Sequence, residues 1–162
     1  MTDDLDLPGK WTVKAHGKRL VVAKRAREKR SHVLMKALLW GLFLPSHPNL
    51  AVEVSLGLRY KPDLVALDAL GQPVFWAEAG QVGVEKIRHL CRRYRHTHLV
   101  LAKWDTRLEP WVEIAHQALA GLQRGAPFEL VNFPADSQER FISPRGELAI
   151  ERRDLEWVTL GA

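Results

Sequence analysis

The stretch HLVLAKW (98–104) is apolar from Leu99 to Ala102 without interruption, rather than at every second position. A strand patterned this way is buried on both faces and needs a covering layer on each side. The segments around it supply helices. Residues 84–96 read as a basic amphipathic helix with Val84, Ile87, Leu90, Cys91 and Tyr94 along one stripe. Residues 109–124 read as a second one, with Pro110 in its first turn. FELVNF (128–133) is a further candidate strand.

Upstream, WTVKAHGKRLVVA (11–23) reads as two short strands joined near His16-Gly17. Residues 27–44 carry Val33, Leu34, Ala37, Leu38, Gly41 and Leu42 at helical spacing and stop at Pro45. AVEVSL (51–56) alternates and reads as a strand, and residues 60–79 form a hairpin about Ala69-Leu70-Gly71-Gln72. From residue 27 the order is helix, three strands, helix, strand, helix, strand. It predicts an α/β fold, a mixed β-sheet flanked by helices. The chain is expected to form a single domain, 1–162, with a core over 27–133 and β additions at both ends. The C-terminal addition is a terminal hairpin in ISPRGELAIERRDLEWV.

A length of 162 residues allows a sizeable core without disulfides, and the single cysteine, Cys91, excludes an internal one. That usage fits a reducing, cytoplasmic setting. The first residues, MTDDLDLPGK, lack the apolar segment of a secretory signal. VLMKALLWGLFLP is too short to span a membrane and carries Lys36, so a buried helix is expected and no membrane partner. The net charge of +5 gathers in 18–30 and 86–96, which permits attraction to polyanions. No oligomeric state is assigned.

Two acids stand out in this apolar sheet, Asp63 where the first hairpin strand begins and Glu78 where the second ends. If Leu70-Gly71 is a two-residue turn, Asp63 faces Glu78 across the hairpin, with Cβ atoms roughly 4.5–5.5 Å apart. A four-residue loop gives the same pairing, whereas a three-residue loop puts the acids on opposite faces. Facing like charges destabilise a sheet unless a cation lies between them, and carboxylate oxygens suit Mg²⁺ or Mn²⁺. The hairpin has no histidine or cysteine, which disfavours zinc. Two carboxylates on such an ion are typical of phosphoryl-transfer and nuclease chemistry. The competing assignment makes Asp63 and Glu78 strand-end acids facing water or paired with arginines such as Arg59.

Pro62-Asp63, an intervening hairpin and Glu78-Ala79-Gly80 together resemble the PD-(D/E)xK nuclease superfamily. HVLMKALLW, KPDLVALD, WAEAGQVGVEKIRHLCRR, LVLAKW and WVEIAHQAL, spread over roughly residues 28–133, are similar to the YaeQ family, a branch of that superfamily. The resemblance implies a restriction-endonuclease-like core and metal-ligand roles for Asp63 and Glu78. It adds Glu28 as an auxiliary ligand, with Glu53 a competing third carboxylate. The superfamily's usual lysine position is Gly80 here. Lys86, on the next helix, and Gln81 are the candidates for that role, which is to orient water or stabilise developing negative charge. Arg88, Arg92, Arg93 and Arg95 are expected to hold phosphates. The implied function is Mg²⁺- or Mn²⁺-dependent hydrolysis of DNA or RNA. The alternative is a catalytically inactive nucleic-acid or protein-binding module on the same fold.

Overall fold

The computed structural model describes residues 9–161. The first strands, β1 (Gly9–Ala15) and β2 (Lys18–Lys24), form an antiparallel two-stranded sheet joined at His16-Gly17, both in the left-handed region. Helix α1 (Arg30–Phe43) follows. A six-stranded mixed sheet has the order β3 (Ala51–Val52), β4 (Leu64–Leu67), β5 (Pro73–Ala79), β6 (His98–Trp104), β7 (Phe128–Phe133), β8 (Glu156–Leu160). Strands β5, β6 and β7 run parallel, connected through α2 (Val84–Arg93) and α3 (Glu109–Leu119). The other neighbours pair antiparallel. Among the described residues no helix is long and apolar enough to cross a membrane.

The double-sided burial expected of β6 is what separates the two cores. Leu99 and Leu101 pack with Trp76, Ile87, Leu90, Cys91 and Leu130 under α2 and α3. Val100 and Ala102 pack on the other face with Leu38, Leu39, Phe75, Ala77 and Phe133. Helix α1 is sandwiched between the large sheet and the β1–β2 ribbon, so it is buried nearly all round, Met35, Leu39 and Trp40 included. That is wider than the single stripe in its sequence.

Several boundaries differ from expectation for identifiable reasons. Helix α1 starts at Arg30, not at 27, because Arg27 has φ +72 and stands outside the helix. Strand β3 ends at Val52 because Glu53 adopts φ +58 and leaves the pleat. Helices α2 and α3 end at Arg93 and Leu119, short of 96 and 124. The tail makes no simple terminal hairpin. After a short helix, α4 (Ser137–Phe141), it contributes a bridge between Ile142 and Leu148 and then β8 on the edge beside β7.

The β4–β5 hairpin contains two irregularities that cancel. Asp68 pairs with Gln72 around a three-residue tip, and Asp68 Oδ1 accepts the Leu70 and Gln72 N–H groups, both at 2.9 Å. Such a tip alone would put Asp63 and Glu78 on opposite faces. A bulge then inserts Val74, since Leu67 pairs with Pro73 but Ala66 with Phe75. From there Val65 pairs with Trp76 and Leu64 with Ala77, which brings Asp63 opposite Glu78.

Candidate active site

The acids meet where β5 and β6 end and α2 begins, the kind of strand end at which open α/β sheets bind ligands. Asp63 Oδ2 accepts the Ala79 N–H at 2.8 Å and lies 3.4 Å from His32 Nε2. Glu78 is 5% exposed, and its Oε1 accepts the Trp76 indole N–H at 2.9 Å and the Lys86 ammonium at 2.8 Å. Asp63 and Glu78 also lie within hydrogen-bonding reach of each other, a contact that helps to hold Asp63 low.

The environments push the two carboxyls apart. Burial, and then the charge of Asp63, raise Glu78 to about 7 against the pull of Lys86 and Trp76. Burial also acts to raise Asp63, but hydrogen bonds from His32 and the Ala79 N–H outweigh it and hold Asp63 below the ordinary range. At neutral pH Asp63 is charged and Glu78 is near the midpoint of its titration.

Lys86 reaches the site from the first turn of α2. Gln81 is exposed and makes no side-chain hydrogen bond among the described residues. Gly80 has φ +86, a conformation that disfavours any lysine at that position by roughly 1–2 kcal/mol. Lys103 supplies a second ammonium from β6, donating to Gly80 O at 2.6 Å and lying 3.4 Å from the centroid of the Trp111 ring. Its burial lowers its pKa to about 8.

Glu28 does not fit the role of metal ligand in this arrangement, because its oxygens are engaged. Oε1 accepts the Arg25 N–H at 3.0 Å, and Oε2 accepts His32 Nδ1 at 2.6 Å and Lys36 Nζ at 2.7 Å. Glu53 also receives Lys36, and its own N–H donates to Asp63 O at 2.9 Å. His32 thus links Glu28 to Asp63, with Asp63 the main cause of its raised pKa. His32, Lys36 and Lys103 were not singled out from the sequence as site residues. The signal available for the lysines was their placement inside apolar runs, where an ammonium requires acceptors.

The donor set suits a hard divalent cation. Its two carboxyls lie within reach of each other, and Mg²⁺ is usually held by one or two carboxylates with water and phosphate completing its shell. Among the described residues no group of three His, Cys, Asp or Glu side chains is arranged around a metal position. Trp76 is buried and Cys91 is fully buried, with burial raising its thiol to about 11, so both belong to the core.

Arg88, Arg92 and Arg93 line a shallow groove of about 580 Å³ on α2, together with Arg59, Glu85 and His89. Among the described residues none of these four arginines is paired with a carboxylate. Arg95 lies past the helix end and outside the groove. A cleft of about 560 Å³ beside Trp11, Arg30 and Ile142 contains neither site acid.

No protein-family model matches the sequence, and no curated protein sequence matches it. Solved structures do. The YaeQ protein from Pseudomonas syringae superposes with a TM-score of 0.60 at 17% identity, covering 87% of this chain and 79% of that one. The YaeQ protein from Xanthomonas axonopodis pv. citri gives 0.58 at 18% identity, covering 82% and 76%. The six-stranded mixed sheet with its flanking helices is therefore a YaeQ-like fold.

Proposed function

We propose that this protein is a Mg²⁺- or Mn²⁺-dependent nuclease of the PD-(D/E)xK type on a restriction-endonuclease-like core. The observation that carries the proposal is the close approach of the Asp63 and Glu78 carboxyls beside an ammonium and a groove of arginines without carboxylate partners. Asp63 and Glu78 hold the ion. When bound, the ion supplies charge neutralisation at the phosphate and activation of water.

The chain's own residues do the rest. The Ala79 N–H and His32 fix one Asp63 oxygen, and Trp76 and Lys86 fix one Glu78 oxygen, so both carboxyls are held in place beside each other. The Lys86 ammonium, 2.8 Å from Glu78, is placed to orient water and to stabilise developing charge, the role that Gly80 cannot supply. Arg88, Arg92 and Arg93 grip neighbouring phosphates of DNA or RNA without reading bases. A cytoplasmic setting belongs to the same proposal, in keeping with the unpaired Cys91.

One observation favours a second assignment, a catalytically silent nucleic-acid-binding module: Lys86 and His32 themselves neutralise part of the acid pair. Incubation with labelled DNA and RNA in Mn²⁺ separates the two. Cleavage by the wild type that is abolished in Glu78→Ala supports the nuclease. Binding without cleavage supports the module, and cleavage that persists in Glu78→Ala refutes the assigned site.

A further inference from the structure

We propose that Tyr60 is a positioning residue whose ring seats the Lys86 ammonium beside Glu78 and joins it to the arginine groove. The inference rests on the nuclease reading, in which Lys86 orients water and stabilises developing charge.

A lysine carries its charge on a flexible four-carbon stem, so its ammonium stays in one place only where partners hold it. Lys86 has two. Its ammonium lies 2.8 Å from Glu78 Oε1 and 5.2 Å from the centroid of the Tyr60 ring. Glu78 cannot give its charge to a cation and also hold Lys86 with it. The ring attracts an ammonium through its quadrupole and has no charge to surrender. It is therefore the partner that stays.

Tyr60 is itself fixed by the groove and the core. Lys86 and His89 stand three residues apart on one face of α2, and the Tyr60 ring lies against both, with the His89 ring edge-on at 5.3 Å. His89 meets Tyr94 at 6.4 Å, Tyr94 meets Trp76 at 5.1 Å, and the Trp76 indole N–H donates to Glu78 Oε1 at 2.9 Å. That is the oxygen that also receives Lys86, so the contacts form a closed circuit through Tyr60. Arg59, a groove residue, lies 5.1 Å from the centroid of the same ring. The Tyr60 hydroxyl makes no hydrogen bond among the described residues, so the ring alone carries the role.

The test is the rate at which acetic anhydride acetylates Lys86 in EDTA, read by peptide mass spectrometry against the exposed Lys10 of β1. Tyr60→Leu is expected to raise the Lys86 rate about two- to fivefold, and Tyr60→Phe to stay close to the wild-type rate. Pentafluorophenylalanine at position 60 keeps the shape of the ring but reverses its quadrupole, and is expected to behave like Tyr60→Leu. In Mn²⁺, kcat for nucleic-acid cleavage should fall in Tyr60→Leu and recover in Tyr60→Phe. An unchanged Lys86 rate in a folded Tyr60→Leu overturns the inference. So does a pentafluorophenylalanine protein that matches Tyr60→Phe, which decides the matter if Tyr60→Leu does not fold. No cleavage by the wild type instead overturns the nuclease reading, and with it the catalytic use of Lys86, whatever the acetylation rates show.

Discussion

Replacing Glu78 by glutamine removes a charge that the fold disfavours. Burial and the neighbouring Asp63 carry this carboxyl from its ordinary 4.5 to about 7. At roughly 1.4 kcal/mol per pH unit, that difference corresponds to about 3 kcal/mol. The sign follows from where the proton binds more tightly. The folded state holds it better, so the stability contributed by Glu78 is fully present below pH 4.5 and is lost as pH rises through 7. Glutamine cannot ionise and escapes the loss. Urea unfolding of both proteins in EDTA, from pH 4.5 to pH 8, should show wild type losing about 2–3 kcal/mol relative to Glu78→Gln. Titrations elsewhere, including the buried Lys103, are common to both proteins and cancel in the difference. Saturating Mn²⁺ at pH 8 should restore stability to the wild type and not to the variant, because the ion binds the folded state alone. Parallel pH curves in EDTA would refute the charge conflict at the centre of the site.

The opposite pH dependence is expected at Glu129, which is 3% exposed and receives His98, Thr159, Trp157 and Arg152. Burial acts to raise its pKa, but those hydrogen bonds hold it at about 2, so its contribution is present above pH 4.5 and disappears as pH falls through 2. Glu129→Gln should lower stability by about 3 kcal/mol at pH 7, measured by urea unfolding, with the gap closing near pH 2. Gly80→Lys, which restores the usual lysine position, should cost about 1–2 kcal/mol because of φ +86, and thermal unfolding reads it directly. Arg88→Ala and Arg92→Ala should each weaken nucleic-acid binding, and each should reduce the salt slope of the binding constant by about one, measured by fluorescence anisotropy across a salt series.

The layered arrangement was legible because burial on two faces leaves a direct trace, the unbroken Leu99–Ala102 run. The pairing of Asp63 with Glu78 was legible in outcome but not in cause. A two-residue turn was expected, and a three-residue tip with an inserted Val74 gives the same facing pair. The bulge has no signature in PVFW, since Val74 is as good a strand residue as its neighbours. Lys86 was traced to Glu78 because helical spacing fixes where a first turn points. The partners of Glu28 and Glu53 were not legible for a different reason. Their partner Lys36 lies on an apolar helix 8 and 17 residues away, and only the packing of α1 brings its ammonium to both acids. The alternation of AVEVSL pointed to a longer strand, but the left-handed backbone of Glu53 ends it after Val52.

The cancelling irregularities of the β4–β5 ribbon set a parity rule for its evolution and its redesign. One residue added to the tip, or Val74 deleted, would flip Asp63 to the far side of the ribbon while leaving the apolar content almost unchanged. Edits made in pairs, one at the tip and one at the bulge, would preserve the juxtaposition. The exposed end at Leu70 is thus free to vary in composition but not in odd-numbered length, and chemistry at one end of the hairpin depends on counting residues at the other.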